Sequence, residues 1–589
     1  MGLARSISSS ARIPELVASL LIARGIQTPD TVKAFLNTNF KDHFRKPNHL
    51  PGCDAVARFL YQSAKNGKKI VVFGDYDVDG MTSAVILCKT LKDLGARDVR
   101  YYIPNRLDEG YGLNAEAIAN LKHDACDVIV TVDCGIACSA EARKAKELGI
   151  ELLITDHHIP EAVLPDAVAI AHPQLVRYPA DGNLVSAASL SEEQLVKAKR
   201  YPFPLLCGAG VALKIALRLG DLAVQDSKEP FSAGRVREII VLATLATIAD
   251  FVPLLDENRA LVRTGLEILN AGPVSPGIDA LLDVSKNKPD KKAIDSEFIA
   301  FQVAPRLNAA GRLGLAGLAV ELLWSENRRR CRELADEIDK LNKSRKTMES
   351  KMQSEAEKQI REKYDPNNPA FVLDSLDWHR GVLGIVASRI AEHYHRPTIL
   401  LARSKSTSSA VGSGRGMSGG NTFNLYGALK SCEHLLVRYG GHDAAAGLTI
   451  EAQNIETFRT TFCEYAAQNI SEEDRTAELF LDGEFPLGAF TRGAVEQISL
   501  LAPFGSENAK PIFAAHGVSA ENVRPMGKDE KHFQAEFRQG EVSFRGIAFG
   551  RSQWVEKLRS LSEPIDIAFK VGVNYGKIEL DILDWRPAQ

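Results

Sequence analysis

The sequence lacks the long apolar run that a membrane-spanning helix requires. Such a helix needs about 20 consecutive apolar residues, and no stretch of the 589-residue chain approaches that length. The opening MGLARSISSS also lacks the apolar segment of a secretory signal. We therefore expect a cytoplasmic protein that makes no membrane contact.

Cysteine is sparse and irregularly placed. The nine cysteines form no regular framework, which argues against a disulfide scaffold and fits a reducing cytosol. Cys134 and Cys138 precede His157, but there is no CxxC spacing and no second cysteine pair, so zinc is disfavoured.

Neither sign of charge dominates the chain. Lysine and arginine number 72 and aspartate and glutamate 75, for a net charge of −3. General attraction to nucleic acid is therefore absent, and any such binding needs a local basic groove. No GxxxxGK[ST] run is present either, so the chain does not encode an ATP-driven helicase.

The strongest feature that is present is the stretch IVVFGDYDVDG at residues 70–80. Its apolar half indicates a buried strand of a parallel sheet, and Asp75, Asp77 and Asp79 follow at spacing two. Carboxylates this close repel each other strongly at low effective dielectric, so we expect a cation among them. A solvated acidic turn is the plain alternative, and an EF-hand fits poorly because the apolar run Val85–Leu87 stands where its late glutamate belongs.

Strand-like and helical patterns alternate from residue 69 to about 172, which predicts an α/β fold with a doubly wound parallel sheet. The predicted strands are 69–73, 99–103, 128–132, 152–154 and 168–171, and the predicted helices are 81–94, 115–121 and 139–148. Residues 180–200 are predicted to form a loop or insertion, and 205–270 and 295–325 to form helices that cover the sheet.

The whole chain divides into five predicted parts. They are a helical N-terminal segment (1–66), a catalytic α/β domain with a helical cover (67–317), a connecting helix (318–365), a second α/β domain (366–472) and a strand-rich C-terminal domain (473–589). The connecting segment is highly charged and has no glycine or proline before Pro366, which predicts a long helix with at most one break. The short strands near the end predict a small β-barrel of the OB type, a fold that binds single strands.

Metal-ligating residues also follow other predicted elements. Asp133 follows one strand, the sequence Thr155-Asp156-His157-His158 follows another, and Asp250 follows an apolar helix. Each alone could be a capping aspartate or a surface histidine, but strand ends of an open α/β sheet meet at one crevice. Mixed aspartate and histidine ligation suits two Mn²⁺ or Mg²⁺ ions, and such a centre hydrolyses phosphoesters.

The motifs DYDVDG, VDCG, TDHH and ADFVPL, in this order, resemble those of the DHH phosphoesterase superfamily. The later motifs RLNAAGRL at 306–313, WHRGVLGIVASRI from 378, GSGR at 412–415 and GGHDAAAG from 440 resemble the RecJ single-strand-specific exonucleases with their DHHA1 second domain. The resemblance covers roughly residues 50–589, the last hundred by pattern alone. Cys134 and Gly416 depart from it, standing where relatives commonly have asparagine and serine.

The resemblance implies a set of metal ligands: Asp75, Asp77, Asp79, Asp133, His157 and Asp250. Which aspartate of the first turn holds which ion is left open. For His158 three roles remain open, namely metal ligand, orientation of His157 and action on the phosphate. For Asp156 two roles remain open, namely membership of the ligand set and fixing an imidazole tautomer. Arg306 and Arg312 would meet the scissile phosphate, with helix-surface salt bridges as the alternative.

The resemblance also implies a site for the 5′-terminal phosphate of a strand. The loop 105–112 and the glycine-rich loop 412–415 would form it, with Arg106, Ser413 and Arg415 as substrate-binding residues. A tight turn is the alternative for the glycine-rich loop. His442 is implied to contact substrate in the cleft between the two α/β domains.

The implied function is a metal-dependent exonuclease that degrades single-stranded DNA in the 5′→3′ direction to mononucleotides, in DNA repair and recombination. The implied partners are a single-stranded-DNA-binding protein and a RecQ-type helicase, with the chain itself a monomer. Alternatives are a DHH-type phosphodiesterase for short oligonucleotides or cyclic dinucleotides, a non-catalytic binding protein and a pyrophosphatase. The strand-rich region 473–589 favours a polymer substrate, because the phosphodiesterase relatives usually stop after the second domain.

Overall fold

The computed structural model describes residues 2–110, 112–177, 182–286, 293–365, 367–417, 423–476, 478–574 and 576–588. Five helices precede the first strand: α1 (Gly2–Ala11), α2 (Glu15–Ala23), α3 (Pro29–Leu36), α4 (Phe40–His43) and α5 (Cys53–Lys65). Ile7 and Val17 are buried with Phe513 and Phe569 of the C-terminal domain, whereas Leu60 of α5 is buried in the catalytic domain. The N-terminal helices therefore link the two ends of the molecule.

The catalytic domain is built on a five-stranded parallel sheet, as predicted. Its elements are β1 (Lys69–Gly74), α6 (Val78–Asp93), β2 (Asp98–Tyr102), α7 (Ala115–His123), β3 (Val128–Val132), α8 (Ser139–Glu147), β4 (Glu151–Thr155) and β5 (Ala169–Ala171). The strand order is β2-β1-β3-β4-β5. The order reverses between β1 and β3, and ligands of open α/β sheets bind beyond the carboxyl ends of the strands at this point.

The region 180–200 has more structure than the predicted loop. Short elements β6 (Val176–Arg177), β7 (Leu184–Val185), α9 (Glu192–Lys197) and β8 (Lys199–Arg200) form a small antiparallel sheet with one helical turn. Ser191 and Gln194 form a capping box that starts α9, a signal that the sequence carries. Residues 180 and 181 of the predicted insertion lie outside the described residues.

Helices cover the sheet as predicted, and one long helix leads away from it. They are α10 (Gly208–Gln225), α11 (Ala233–Ala249), α12 (Asp256–Ala271), α13 (Pro276–Ser285), α14 (Ser296–Phe298), α15 (Ala304–Arg312), α16 (Ala316–Trp324) and α17 (Arg328–Lys363), with a π-helical turn at Ile299–Val303. The predicted single break falls at residues 325–327, where the Asn327 side chain accepts the amide hydrogens of Arg329 and Arg330. Pro366, the predicted end of this helix, lies outside the described residues.

The second α/β domain contains a mixed sheet in the order β12-β13-β11-β10-β9. Its elements are β9 (Phe371–Ser375), α18 (Leu383–Tyr394), β10 (Thr398–Arg403), β11 (Ser409–Arg415), α19 (Leu425–Ser431), β12 (Leu436–Gly441), β13 (Ala445–Glu451) and α20 (Ile455–Asn469). The hairpin β12–β13 was not predicted, because its glycine- and alanine-rich sequence lacks the apolar alternation of a strand.

The C-terminal domain is the predicted closed barrel. Its elements are β14 (Gly483–Glu484), α21 (Arg492–Ile498), β15 (Phe513–Met526), β16 (His532–Gln539), β17 (Val542–Ala548), α22 (Val555–Ser560), β18 (Ile565–Asn574) and β19 (Lys577–Pro587). Pairing of β15 with β18 closes it, and Phe490, Phe513 and Phe569 pack together inside. Within the described parts of the chain, no helix has the length and apolarity to cross a membrane.

Candidate metal centre and cationic cavity

The first acidic turn is held in place by backbone amides. Asp77 caps α6 by accepting the Gly80 amide hydrogen at 3.1 Å. The Asp79 carboxylate accepts the amide hydrogens of Gly208 and Ala209 at 2.6 and 2.7 Å, where the positive end of α10 favours an anion. A Cβ at position 208 would lie 2.7 Å from the Asp133 Cβ. The centre therefore needs glycine there.

His157 joins three of the predicted carboxylates. Its Nε2 lies 3.1 Å from Asp133 Oδ1 and 3.7 Å from both Asp79 Oδ2 and Asp250 Oδ2. Asp133 itself adopts a left-handed backbone conformation, with φ of 61°, directly after β3. Asp250 caps the carboxyl end of α11. The predicted convergence of strand and helix ends is thus present in the fold.

The ligand atoms fall into overlapping groups in which all atoms lie within 4.8 Å of one another. These groups are Asp75–Asp77–Asp133, Asp79–His157–Asp250 and Asp133–His157–His158. All six predicted metal ligands belong to at least one group, and Asp133 and His157 each belong to two. Among the groups found in the described part of the chain, none contains a cysteine.

A cation fits the acidic residues of this centre. The Asp75 Oδ1 atom is buried and has no hydrogen-bond partner among the described residues. Burial, followed by the charge of Asp77, raises the pKa of Asp75 well above its usual value. Burial and neighbouring aspartates likewise raise the pKa of Asp133 far above normal and that of Asp250 to about 9. So many buried carboxylates are stable in the ionised form only beside a positive ion.

Asp156 organises the histidine turn. Its carboxylate accepts the amide hydrogens of Ile136, His157 and His158 and lies 2.7 Å from His158 Nδ1. Burial opposes ionisation of Asp156, but the hydrogen bond and charge of His158 lower its pKa to about 2. Burial likewise opposes protonation of His158, but Asp156 raises the pKa of His158 to about 9. Asp156 thus fixes an imidazole, and that imidazole belongs to His158.

Several residues that hold the histidine turn and the start of α6 in place were not predicted from the sequence. The His172 ring lies 2.7 Å from the His158 carbonyl oxygen, and the Gln174 amide donates to the His157 carbonyl oxygen at 2.7 Å. Both follow β5, so the rule of polar residues at strand ends could have found them. Asn308, inside the RLNAAGRL motif, accepts the Val78 amide hydrogen at 3.2 Å.

A cationic cavity of about 490 Å³ lies between the two α/β domains. The three residues predicted to bind the 5′ end, Arg106, Ser413 and Arg415, all line it. Arg415 Nη1 donates to Ser413 Oγ at 3.1 Å, and the Arg106 guanidinium lies 4.8 Å above the Tyr76 ring. Tyr76 stands between Asp75 and Asp77 in the chain, so the cavity adjoins the carboxylate centre. Two unpredicted arginines, Arg380 and Arg438, also line it.

The two arginines predicted to meet the scissile phosphate lie in different surroundings. Burial, followed by the charges of Arg106 and Arg345, lowers the pKa of Arg312 to about 10, which places Arg312 in the cationic group. Arg306 is buried and donates to Asp339 of α17 at 3.0 Å and to the Gln302 carbonyl oxygen. The structure thus places Arg312 near Arg106 and Arg415 of the cavity and holds Arg306 in an intramolecular ion pair with Asp339.

The remaining positions singled out in the sequence do not belong to the groups of ligand atoms found among the described residues. His442 is exposed in the turn between β12 and β13, and its backbone amide donates to the Ala445 carbonyl oxygen at 2.9 Å. Gly416 donates its amide hydrogen to Ala444 at 2.9 Å, and a Cβ there would lie 3.1 Å from the Asp443 carbonyl oxygen. Cys134, which follows Asp133, is buried. Tyr111 of the loop 105–112 lies outside the described residues.

The sequence matches three known domain families. They are the DHH family N-terminal domain over residues 69–242, the DHHA1 domain over 367–468 and the RecJ OB domain over 481–579. With the acidic centre, these matches define a phosphoesterase of the DHH type.

Two curated relatives make the assignment more specific. The chain is 36% identical over 553 residues to the single-stranded-DNA-specific exonuclease RecJ of Bacillus subtilis (strain 168), covering 94% of this chain and 65% of that protein. It is 32% identical over 579 residues to the enzyme of that name from Salmonella typhimurium, covering 96% and 94%. The chain therefore belongs to the RecJ family of single-stranded-DNA-specific exonucleases.

Two solved structures of one relative share this fold and contain a metal ion. RecJ from Thermus thermophilus in complex with Mn²⁺ matches with a TM-score of 0.78 at 29% identity, covering 100% of this chain and 78% of that chain. The same protein in complex with Mg²⁺ matches with a TM-score of 0.72 at 27% identity, covering 100% and 77%. A relative of this fold thus binds either ion.

Proposed function

We propose that the chain degrades single-stranded DNA in the 5′→3′ direction to mononucleotides, in DNA repair and recombination. The observation that carries the direction is the position of the cationic cavity, which adjoins the carboxylate centre across Tyr76. A terminal phosphomonoester carries close to two negative charges near neutral pH, so this cavity favours a 5′-phosphate over an internal diester. A strand bound by its 5′ end would present the next phosphodiester to the carboxylates.

Two Mn²⁺ or Mg²⁺ ions would be held by Asp75, Asp77, Asp79, Asp133, His157 and Asp250, and the shared positions of Asp133 and His157 support a pair. When bound, such ions activate water and neutralise charge on the phosphate. Burial lowers the pKa of His157, which keeps the imidazole neutral as a ligand. The raised pKa of His158 keeps that ring protonated at neutral pH, able to donate a hydrogen bond to a phosphate oxygen. Arg312 would bind the same phosphate, and we propose the same role for Arg306 once Asp339 releases it.

The remaining proposals concern context. The nine cysteines are all free thiols, which supports a cytoplasmic setting. We infer that the chain acts as a monomer on strands unwound by a RecQ-type helicase and coated by a single-stranded-DNA-binding protein, because the chain carries no motor motif of its own. Contact of exposed His442 with the strand is part of the same proposal.

The test is a direct assay of polarity. Single strands carrying a 5′-phosphate, a 5′-hydroxyl or a 3′ block, and a blunt duplex, are incubated with Mn²⁺ or with EDTA. We expect mononucleotides from the 5′-phosphorylated and 3′-blocked strands, little product from the duplex, and none in EDTA. Arrest by the 3′ block would reverse the polarity, and equal decay of the duplex would remove strand selectivity. Preferential hydrolysis of dinucleotides would favour the short-oligonucleotide alternative.

A further inference from the structure

Two exposed phenylalanines lie on the Asp250 side of the carboxylate centre, and Asp250 shares no ligand group with Asp75 or Asp77. Phe251 directly follows Asp250 and is 66% exposed, and Phe301 is 63% exposed. Both line a cavity of about 270 Å³ that separates the catalytic domain from the barrel. Single exposed apolar residues are common on proteins, but two aromatic rings on one cavity beside an active centre are not explained by packing.

The backbone beneath both rings is unusual. Phe251 has φ of 59°, a left-handed conformation that a bulky residue adopts only under strain. Phe301 lies in the π-helical turn Ile299–Val303, a geometry that is rare and frequent at functional sites. Strain of this kind persists only where the surrounding structure enforces it. The fold thus gives up some stability to keep both rings in the cavity.

The cavity walls are fixed to one another. Leu254 donates its amide hydrogen to the Ser506 carbonyl oxygen at 2.9 Å, and Ser296 Oγ donates to the Phe504 carbonyl oxygen at 2.5 Å. A Cβ at Gly505 would lie 2.6 Å from the Leu254 side chain. These contacts connect the turn after Asp250, the π-helical region and the loop before β15, so the exposed rings belong to a preformed site.

Two lysines on the barrel side of the cavity can contact a nucleic-acid backbone in exchange for the carboxylates beside them. Lys510 and Lys570 line the cavity, with Glu297 paired to Lys510 and Asp581 opposite Lys570 on the next strand. An aromatic surface beside lysines is the combination that holds single strands without reading sequence, because every base has a face that can stack.

We propose that Phe251 and Phe301 form a stacking platform for a base of the strand just beyond the scissile phosphate, on its 3′ side. This inference depends on the proposed function. A strand with its 5′ end beside Arg106 crosses the centre from Asp75 towards Asp250, and the next surface that it meets is this platform. Lys510 and Lys570 contact the backbone as the strand passes to the barrel. The two phenylalanines are positioning residues that keep the next phosphodiester in register at the metals.

The test uses the full-length protein and oligonucleotides that carry one abasic nucleotide at successive positions from the 5′ end. We expect wild-type binding, measured by fluorescence anisotropy in EDTA, to weaken at one position near the 5′ end. Phe301→Leu and Phe251→Leu should bind intact strands roughly 5- to 50-fold more weakly and lose the dependence on the abasic position. Phe301→Tyr, which keeps an aromatic ring at this position, should retain both the wild-type affinity and the dependence on the abasic position. Lys570→Gln should weaken binding without changing the abasic profile.

The matched control is Phe480→Leu, which changes a 73% exposed phenylalanine elsewhere on the barrel domain and should match wild type. If wild type digests strands from the 5′ end but Phe301→Leu and Phe251→Leu keep wild-type affinity and the same abasic profile, the platform is refuted and the proposed function stands. If wild type does not digest from the 5′ end while the abasic position still matters, the proposed polarity fails and the platform stands as a binding site.

Discussion

The carboxylate centre and the cationic cavity are neighbours built in opposite ways. Every proposed ligand of the centre lies in the catalytic domain, at the end of a strand or helix. Backbone amides of Gly208 and Ala209 hold the Asp79 carboxylate. The cavity takes Arg106 from one domain and Ser413 and Arg415 from the other. The centre therefore depends on local geometry, whereas the cavity depends on how α17 places the second domain. Chemistry and end recognition should be separable by mutation.

Loss of one shared ligand should have the largest effect. Asp133→Ala removes a carboxylate that belongs to two ligand groups, so we expect hydrolysis of every DNA substrate to fall below detection while the fold remains. The measurement is release of mononucleotides with Mn²⁺, alongside circular dichroism. Asp124→Ala, at a carboxylate of the same domain whose side chain is 64% exposed, is the control and should keep full activity. Near wild-type hydrolysis by Asp133→Ala would show that the centre is wrongly assigned.

Loss of a cavity arginine should spare the chemistry and impair end recognition. A hydrogen bond to a charged group contributes about 1.5–3 kcal/mol, so Arg415→Ala should weaken binding of 5′-phosphorylated strands by roughly 10- to 150-fold. Strands with a 5′-hydroxyl should be bound almost as by wild type. Binding of both strands is compared in EDTA, with Arg329→Ala, at a 90% exposed arginine on α17, as control. Equal loss for both strands would mean that Arg415 contacts the backbone in general.

The same contrast explains what the sequence could predict. Asp75, Asp77 and Asp79 lie in one turn after an obvious strand, so periodicity and charge repulsion were enough to find them. Arg106 and Arg415 are 309 positions apart in the numbering of the chain, and only the family resemblance brought them together, because the placement of two domains is not a local property. For Arg306 the motif could not show that Asp339 of the connecting helix α17 accepts a hydrogen bond from its guanidinium, because the two residues belong to different helices.

The backbone conformation of Phe251 is a second feature that the sequence alone could not predict. The sequence marks Asp250 as special. It does not show the left-handed conformation of Phe251, nor that this turn contacts the barrel loop through the hydrogen bond from Leu254 to Ser506. Such long-range contacts have no periodic signature. For the same reason the packing of α1–α3 against the barrel could not be predicted, although their helical pattern was plain.

The metal-free protein should become less stable to unfolding as the pH rises. Folding raises the pKa values of Asp250 and His158 to about 9. The native state thus binds more protons than the unfolded state between pH 7 and 9, and the free energy of unfolding falls over that window. In the metal-free protein we expect the thermal midpoint of unfolding to be lower at the higher pH by at least about 2–4 °C. This is the shift that about 1 kcal/mol causes in a domain of about 150–250 residues.

The measurement is thermal unfolding in EDTA at about pH 7.0 and about pH 8.5. It is repeated with excess Mg²⁺. Ionised carboxylates bind the cation, so Mg²⁺ should reverse the fall. Asp133→Ala should reduce the dependence on pH and Asp124→Ala should retain it. A midpoint in EDTA that rises with pH would contradict the assignment of buried, mutually repelling carboxylates.

The smallest effect should come from crowding the cavity without removing a charge. A Cβ at Gly384 would lie 2.6 Å from Arg415 Nη2 and 3.1 Å from Ser413 Oγ. Because the end of an arginine side chain can shift, Gly384→Ala should displace the guanidinium without unfolding the domain. We expect roughly threefold to fivefold weaker binding of 5′-phosphorylated strands, with hydrolysis of 5′-hydroxyl strands unchanged. Gly317→Ala, where nothing lies within 4 Å of the added Cβ, is the matched control. A loss of turnover on 5′-hydroxyl strands by Gly384→Ala would mean that the cavity and the centre are coupled and that end recognition cannot be separated from chemistry.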